Sequence, residues 1–230
     1  MGMFVSVIIA CGGTSSRMGG QNKLFVKLHG IPVIVRAMQA FDEIHEVREM
    51  ILCAAESSID ALRGLIASYD FRKPVLITTG AQTRQKSIAK GFSLISPESE
   101  LVCIHDGARP LIRTHTVCKC IADAKKHGAA VVCVPSKDTV KLAQNGFVAA
   151  TPARENVMLT QTPQIFRTEL YRNALIAADE AGADYTDDSQ LCEAVGVMPF
   201  VTIGEYSNIK ITTAEDIPVA ESLLKSTARG

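Results

Sequence analysis

The stretch FVSVIIACGGTSSRMGG, residues 4–20, joins an apolar run to a loop of glycines and small hydroxyl side chains. The apolar run, Phe4–Ala10, is short, nearly all apolar and rich in β-branched residues, as is typical of a strand covered on both faces. Glycines in the loop let backbone N–H groups approach phosphate oxygens closely. Because ligands bind beyond the carboxyl ends of strands in open α/β sheets, this stretch predicts a phosphate-binding turn.

The remainder of the chain repeats the alternation of strand and helix. Further strands are predicted at Met50–Ala54, Val75–Thr78, Leu101–His105, Ala130–Val134 and Phe200–Ile203. Helices are predicted at Val33–Phe41, Ser58–Tyr69, Thr83–Ile95, Thr114–His127, Thr168–Ala181, Asp188–Val195 and Thr213–Lys225. This order is typical of an α/β fold with a mainly parallel sheet flanked by helices. We expect one domain over residues 1–230.

One segment, residues 136–161, has no helical pattern. Inside it, Thr139–Leu142 and Phe147–Ala149 flank Asn145-Gly146, and Asn-Gly between apolar runs is the strongest local signal of a β-hairpin. A two-stranded hairpin has little core of its own. We therefore expect an inserted arm that either folds back or lies on another subunit and supports a dimer.

Composition excludes several classes of protein. The 24 basic and 24 acidic residues give a formal net charge of zero, which lacks the cationic field of a general nucleic-acid binder. The seven cysteines include no CxxC pair, so neither a disulfide framework nor a zinc site is expected, and a reducing compartment fits. The apolar stretch at residues 1–13 has no preceding basic region, so we expect a buried strand there rather than a signal peptide, and no apolar stretch reaches membrane-spanning length. We expect a cytoplasmic protein.

Three polar clusters follow predicted strands. Arg17 and Lys23 give the first loop the fixed positive charge that a triphosphate needs, although the loop could also be a plain turn with two surface cations. In residues 105–110, HDGARP, Asp106 and Arg109 form a candidate metal-and-phosphate corner, or else Asp106 caps a turn and pairs with Arg109. Residues 80–87 open a helix whose N-terminal amides favour an anion, or form an ordinary turn capped by Thr83. All three clusters fall at one edge of the sheet.

At these motifs the chain resembles the 2-C-methyl-D-erythritol 4-phosphate cytidylyltransferase family. The most specific stretch is VCIHDGARPLI, residues 102–112, and the resemblance runs nearly end to end. Four further stretches support it: GAQTRQKSI at 80–88, TPQIF at 162–166, YTDDSQ at 185–190 and NIKITTAEDI at 208–217. The resemblance implies a Rossmann-like, glycosyltransferase-A-like nucleotidyltransferase sheet. It also implies transfer of a cytidylyl group from CTP to the methylerythritol phosphate, with release of pyrophosphate.

The resemblance also assigns residues to roles. It implies a nucleotide site built from Cys11, Gly12, Gly13, Gly80, Ala81, Ser87, Asp106 and Gly107. Around the acceptor it implies Arg109, Thr139, Arg154, Thr162, Thr186 and Lys210. Arg17 and Lys23 would stabilise charge in the transition state, whereas Arg154 and Lys210 would hold the acceptor phosphate. Arg154 would reach the neighbouring subunit of a homodimer from the base of the arm, and Asp106 is the candidate ligand of Mg²⁺.

The first loop departs from the family pattern, and two other functions stay open. Family loops usually read Ala-Ala-Gly-x-Gly-x-Arg with proline before the lysine, whereas this chain has Gly12, Ser15 and Asn22 at the differing positions. One alternative is a cytidylyltransferase for ribitol 5-phosphate or another polyol phosphate, with a sugar-nucleotide synthase for another nucleobase as a more distant variant. The other is a nucleotide-binding module without turnover. No nucleic-acid or membrane partner is expected.

Overall fold

Eleven strands lie in the part of the chain that the computed structural model describes, residues 3–12 and 22–227. They are β1 (Val5–Cys11), β2 (Lys27–Leu28), β3 (Ile31–Pro32), β4 (Val47–Ala54), β5 (Val75–Thr79), β6 (Leu101–Asp106), β7 (Ala129–Pro135), β8 (Leu142–Gln144), β9 (Phe147–Ala150), β10 (Met158–Arg167) and β11 (Phe200–Ile203). The six predicted sheet strands are confirmed to within a few residues. The apolar run Phe4–Ala10 forms β1, an interior strand between β6 and β4.

Seven α-helices connect these strands in the same described ranges. They are α1 (Val33–Asp42), α2 (Ile59–Ala67), α3 (Arg84–Phe92), α4 (Thr114–His127), α5 (Thr168–Glu180), α6 (Asp188–Glu193) and α7 (Asp216–Thr227). Local signals explain some of their ends. The hydroxyl of Thr83 accepts a hydrogen bond from the N–H of Lys86 and caps α3, and Gly128 ends α4 with a φ of 90°.

Seven strands form one sheet in the order β11-β7-β10-β6-β1-β4-β5. Strands β1, β4, β5 and β6 are parallel neighbours, and β11 is parallel to β7. Only β10 is antiparallel to its partners β6 and β7. The prediction of a mainly parallel sheet flanked by helices is therefore confirmed, and the carboxyl ends of β1, β4, β5 and β6 share one edge.

Helices cover both faces of this sheet. Alternate residues of β1 point to opposite faces: Val7 and Ile9 join the core beneath α1, α2 and α4, whereas Ile8 joins the core beneath α3, α5 and α6. Gly91 lets α3 lie very close to the sheet, because a Cβ there would stand 2.5 Å from Cys53 Sγ and 2.9 Å from Ile8 Cγ2. The C-terminal turn of α3 therefore packs directly against β1 and β4.

The strand β10 was not predicted, and it shortens the arm. The predicted inserted segment spans residues 136–161, but Met158 pairs with Pro135 and Thr160 pairs with Cys133 in the main sheet. Pro163 prevents recognition of β10 from the sequence, because a proline within a run of residues argues against a central strand. The β7–β10 pairing has a register shift between Thr160 and Gln164, at the position of this proline.

The predicted hairpin is present as β8 and β9, paired in antiparallel fashion. Its turn residues Asn145 and Gly146 have φ values of 51° and 83°, the left-handed conformations that a two-residue Asn-Gly turn requires. Both strands are exposed on both faces, and the Phe147 side chain is 78% exposed. The arm therefore buries little within its own chain.

The cysteines lie almost entirely in the core. All seven are free thiols, and only Cys118 is exposed. Cys118 and its neighbour Cys120 point to different faces of α4, because only Cys120 is buried. None of the helices in the described ranges is both long and apolar enough to cross a membrane.

Candidate active site

A cavity of about 820 Å³ opens at the edge where β1, β4, β5 and β6 end. It brings together residues from all three polar clusters and from the segment before α7. The predicted site residues that line it are Gly12, Lys23, Gly80, Ala81, Ser87, Asp106 and Lys210. Residues 188 positions apart along the chain, such as Asn22 and Lys210, share this wall because the parallel strands deliver their loops to one edge.

Asp106 is the electrostatic centre of the cavity. Its buried carboxylate accepts from Lys210 Nζ at 2.9 Å and from Arg109 Nε at 3.4 Å, and Arg84 Nη2 lies 3.8 Å away. Burial alone would raise the pKa of Asp106, but attraction to Lys210, Arg84 and Arg109 outweighs it and holds the pKa well below its ordinary value. One anion thus holds three cations at the cavity edge.

A hydrogen-bonded chain fixes Asp106 from behind. The Thr162 hydroxyl accepts from the backbone N–H of Asp106 at 3.0 Å and lies 2.9 Å from His105 Nδ1, whereas His105 Nε2 lies 3.2 Å from the Arg109 carbonyl oxygen. Burial lowers the pKa of His105 to about 4, so the ring is neutral at pH 7. The neutral ring then donates from Nε2 and accepts the Thr162 hydroxyl at Nδ1. His105 is therefore a buried histidine with a hydrogen-bond partner at each ring nitrogen.

The turn before α3 is closed around one hydroxyl group. Ser87 Oγ accepts from the N–H of Ala81 at 2.8 Å and donates to the carbonyl of Thr83 at 2.8 Å. The N–H of Gly80 donates to the carbonyl of Ala54 at 2.6 Å, which ties the turn to the end of β4. Residues 80–87 therefore form a preorganised wall at a helix N-terminus, where backbone dipoles favour an anion.

Asn22 holds the turn that carries Lys23. Its side-chain oxygen accepts from the N–H of Leu24 at 3.1 Å, and its side-chain nitrogen donates to Ser58 Oγ at 3.2 Å. The φ of Asn22 is −71°, a value that proline also adopts, so this backbone is compatible with the proline usual in the family. Asn22 thus caps the turn and places Lys23 in the cavity wall.

Other predicted residues lie next to the cavity rather than in its wall. Arg109 and Thr162 act on Asp106 through the contacts above, and Arg109 Nη1 also donates to the carbonyl of Asn208 at 2.8 Å. Gly107 is a packing position, because a Cβ would lie 2.8 Å from Ile34 Cδ1. The Cys11 side chain is buried, so only the backbone of Cys11 could contact a ligand. The nucleotide-binding role predicted for Cys11 is thereby limited to its backbone groups.

Three predicted acceptor residues do not line this cavity. Thr139 and Arg154 are exposed beside the arm, and Arg154 Nη1 lies 3.5 Å from the Lys137 carbonyl. Thr186 is exposed on the segment that precedes α6. Two other predicted residues, Gly13 and Arg17, lie outside the described residues, as does Ser15.

Two parts of the cavity are not predicted from the sequence. Arg84, which belongs to the motif at residues 80–88 but has no predicted role, lines the cavity and contacts both Asp106 and Asp188. Its position directly after the N-cap Thr83 could have revealed it. The segment Glu56–Ser58, which also lines the cavity, follows β4 and has no motif of its own. Only the position of the β4 end pointed to it.

The cavity residues offer a divalent cation one buried carboxylate ligand, that of Asp106. In the described ranges no three acidic, histidine or cysteine side chains converge on one point. Asp106 nevertheless offers one carboxylate, whose Oδ2 is taken by Lys210 and whose Oδ1 faces Arg84 at 3.8 Å. Mg²⁺ at phosphate-transfer sites is commonly held by one or two carboxylates together with substrate phosphates. Asp106 Oδ1 is a buried carboxylate oxygen in this cavity that suits that pattern.

Comparison with known proteins assigns the family. Residues 5–226 match the model of the IspD family, 2-C-methyl-D-erythritol 4-phosphate cytidylyltransferase. The chain belongs to this family. A cytidylyltransferase of that name from Bacillus licheniformis is 37% identical over 228 residues, which cover 99% of this chain and 98% of the relative. One from Desulforamulus reducens is 39% identical over 98% of this chain and 97% of the relative.

Solved structures of the cytidylyltransferase family share the fold. The crystal structure of 4-diphosphocytidyl-2C-methyl-D-erythritol synthase from Anaerococcus prevotii superposes with a TM-score of 0.87 at 33% identity. It covers 98% of this chain and all of its own. The Thermus thermophilus cytidylyltransferase superposes with a TM-score of 0.76 at 30% identity, over 97% of this chain and all of its own. The nucleotidyltransferase fold class predicted from the sequence is therefore confirmed.

Proposed function

We propose that the protein transfers a cytidylyl group from CTP to 2-C-methyl-D-erythritol 4-phosphate, forming 4-diphosphocytidyl-2-C-methyl-D-erythritol and pyrophosphate. Family membership over residues 5–226 supports the reaction. The observation that carries it is the placement of Lys23, Lys210 and the preorganised turn 80–87 around Asp106 in one cavity. This arrangement suits two phosphorylated molecules that must be brought together against their mutual repulsion.

The chemistry requires no covalent intermediate with the protein. An acceptor phosphate oxygen attacks the α-phosphorus of CTP in line, the new P–O bond forms, and the bond to the β-phosphate oxygen breaks. Pyrophosphate leaves with that electron pair. An ionised phosphate is already a usable nucleophile, so the protein contributes positioning and electrostatic stabilisation. Lys23 and Arg17 are proposed for the triphosphate side, and Lys210 for the acceptor phosphate.

A divalent cation, Mg²⁺, is proposed as cofactor. Asp106 Oδ1 would contribute one ligand and the triphosphate oxygens most of the others. When bound, the cation would neutralise the triphosphate and stabilise the charge that develops on the leaving pyrophosphate. Arg84, Arg109 and Lys210 hold the Asp106 carboxylate in the orientation that it has in the cavity.

An activity matrix of nucleotides and acceptors tests the proposed function. We expect pyrophosphate release to be fastest with CTP and 2-C-methyl-D-erythritol 4-phosphate, and at least tenfold slower with UTP, GTP or ribitol 5-phosphate. The product is identified by mass spectrometry, and omission of Mg²⁺ serves as a further arm. Faster turnover with ribitol 5-phosphate would support the polyol-phosphate alternative. Tight CTP binding without turnover on any acceptor would support the non-catalytic module.

We further propose that the protein acts as a homodimer whose arms cross between subunits. Phe147 and Val148 on the arm are 78% and 62% exposed, and Leu142 is 54% exposed. Apolar side chains on an isolated hairpin are stabilised when another surface covers them. Arg154 lies at the base of the same arm, so a swapped arm would carry it to the partner's cavity. The absence of Arg154 from the cavity of its own chain fits this arrangement.

Mixing two inactive variants tests the shared site. Lys210→Ala damages the cavity of its own chain, whereas Arg154→Ala damages that of the partner. Co-expression of the two gives hybrids with one intact cavity, and we expect recovery of about one quarter of wild-type activity in a two-fold symmetric dimer. Lys210→Ala with Asp106→Asn is the matched control and recovers nothing. Lack of recovery in hybrids isolated with two affinity tags would disprove the exchange of Arg154.

A further inference from the structure

Three consecutive residues at the start of α3 contact a segment that lies a hundred positions further along the chain. Thr83 Oγ1 donates to Asp184 Oδ1 at 2.9 Å, Arg84 pairs with Asp188, and Gln85 bonds to the backbone on either side of Asp184. We name residues 183–188 the acceptor-side segment, because Thr186, a predicted acceptor residue, lies within it. The nucleotide-side turn 80–87 and this segment are thus fastened together.

Gln85 makes the most specific of these contacts. Its Nε2 donates to the carbonyl of Ala183 at 3.2 Å, and its Oε1 accepts from the N–H of Tyr185 at 2.7 Å. A carbonyl partner and an N–H partner fix the orientation of the amide, whose nitrogen donates to one and whose oxygen accepts from the other. Gln85 is also buried, so water competes poorly for these bonds. The backbone immediately before Thr186 is therefore set by a side chain of α3.

Arg84 extends the same connection to the electrostatic centre. Its guanidinium contacts Asp188, the last residue of the acceptor-side segment. The same guanidinium lies 3.8 Å from Asp106 Oδ1 in the cavity. Tyr171 donates to Asp188 Oδ1 at 2.7 Å and holds that carboxylate in place. Arg84 consequently connects the turn 80–87, to which it belongs, with both Asp106 and the acceptor-side segment.

We infer that Gln85 is a positioning residue that sets the acceptor-side segment in response to nucleotide binding at the turn 80–87. A nucleotide seated on that turn restricts the start of α3, and the amide bonds of Gln85 pass the restriction to residues 183–185. The acceptor then meets a segment that is already ordered, which lowers the cost of binding it. The inference rests on the proposed function for the identity of the two substrates.

Gln85→Leu tests the inference, because it removes both bonds at similar volume and leaves Arg84 in place. We expect the KM for the acceptor to rise about tenfold, which is about 1.4 kcal/mol, while the KM for CTP changes less than twofold. Gln85→Glu keeps an oxygen that accepts from the Tyr185 N–H but loses the N–H that donates to Ala183. Its KM for the acceptor substrate should therefore lie between those of the wild type and Gln85→Leu. Gln39→Leu, an exposed glutamine on α1, is the control.

Amide hydrogen exchange supplies a readout that needs no turnover. Adding a non-hydrolysable CTP analogue to the wild-type protein should increase protection of residues 183–187, and the increase should be absent in Gln85→Leu. Equal protection in both proteins, or equal increases in the two KM values, would overturn the inference. A wild-type protein that binds the analogue but transfers nothing would instead refute the proposed function, and the exchange data would still decide the role of Gln85.

Discussion

Lys210→Ala is expected to lower turnover by about 10²–10³ while the protein stays folded, in line with the loss of one transition-state contact to a developing charge. Lys210 Nζ lies 2.9 Å from Asp106 Oδ2 and lines the cavity, and its side chain is 40% exposed. The ammonium group is therefore held in place by Asp106 and still open to an anionic substrate. The fold should survive because Arg84 and Arg109 still neutralise Asp106.

Steady-state kinetics with both substrates, together with thermal unfolding, measure this effect. Lys119→Ala, which removes an exposed lysine from α4 away from the cavity, is the matched control and should keep wild-type turnover. Lys210→Arg keeps the charge with a different geometry and should retain more activity than alanine. A folded Lys210→Ala protein with turnover within threefold of wild type would remove Lys210 from the mechanism.

Arg84→Met is expected to cost about 3 kcal/mol in the free energy of unfolding at pH 7, because it leaves a buried carboxylate without its cation. Asp188 is 2% exposed, and after the substitution only the Tyr171 hydroxyl among its contacts described above would still donate to it. Burial raises the pKa of Asp188, and Arg84 opposes that rise. The double variant Arg84→Met/Asp188→Asn removes both charges and should recover most of the lost stability.

The pH dependence of this loss has a definite sign. Without Arg84 the pKa of Asp188 rises further above its unfolded value, so the folded state binds the proton more readily than the unfolded state does. The destabilisation should therefore shrink as pH falls below that raised pKa and grow as pH increases through it. Urea unfolding of the three proteins at pH 5 and pH 8 measures the difference. An equal loss of stability at both pH values would show that Asp188 is not the group left uncompensated.

Strands and helices with a clear apolar period were predictable from the sequence, and so was the edge at which the loops meet. Strand β1 is recognisable because both of its faces are buried, which leaves a nearly uninterrupted apolar run. Strand β10 could not be recognised in the same way. Gln161, Thr162 and Gln164 are buried polar residues whose hydrogen bonds are made to distant parts of the chain. A local pattern cannot reveal such partners.

The candidate site shows the same division. Gly80, Ala81, Ser87 and Asp106 were placed from motifs that directly follow strands, and all of them line the cavity. The role of Arg84 was not predicted, because it depends on Asp188, which is more than a hundred residues away in sequence and is buried beside Tyr171. The positions beside the arm could not be assigned to a cavity either, since one chain does not determine what a hairpin with two exposed faces covers.

The pairing of Pro135 with Met158 brings the two ends of the arm next to each other. These residues are register partners in neighbouring antiparallel strands, and the N–H of Ser136 donates to the carbonyl of Val157 at 2.9 Å just beyond them. Residues 136–157 could therefore be excised and the gap bridged by a short turn without disturbing the strand order. The excised residues add no strand to the main sheet. A foreign binding element could therefore be inserted in their place, or the domain could be produced without its arm.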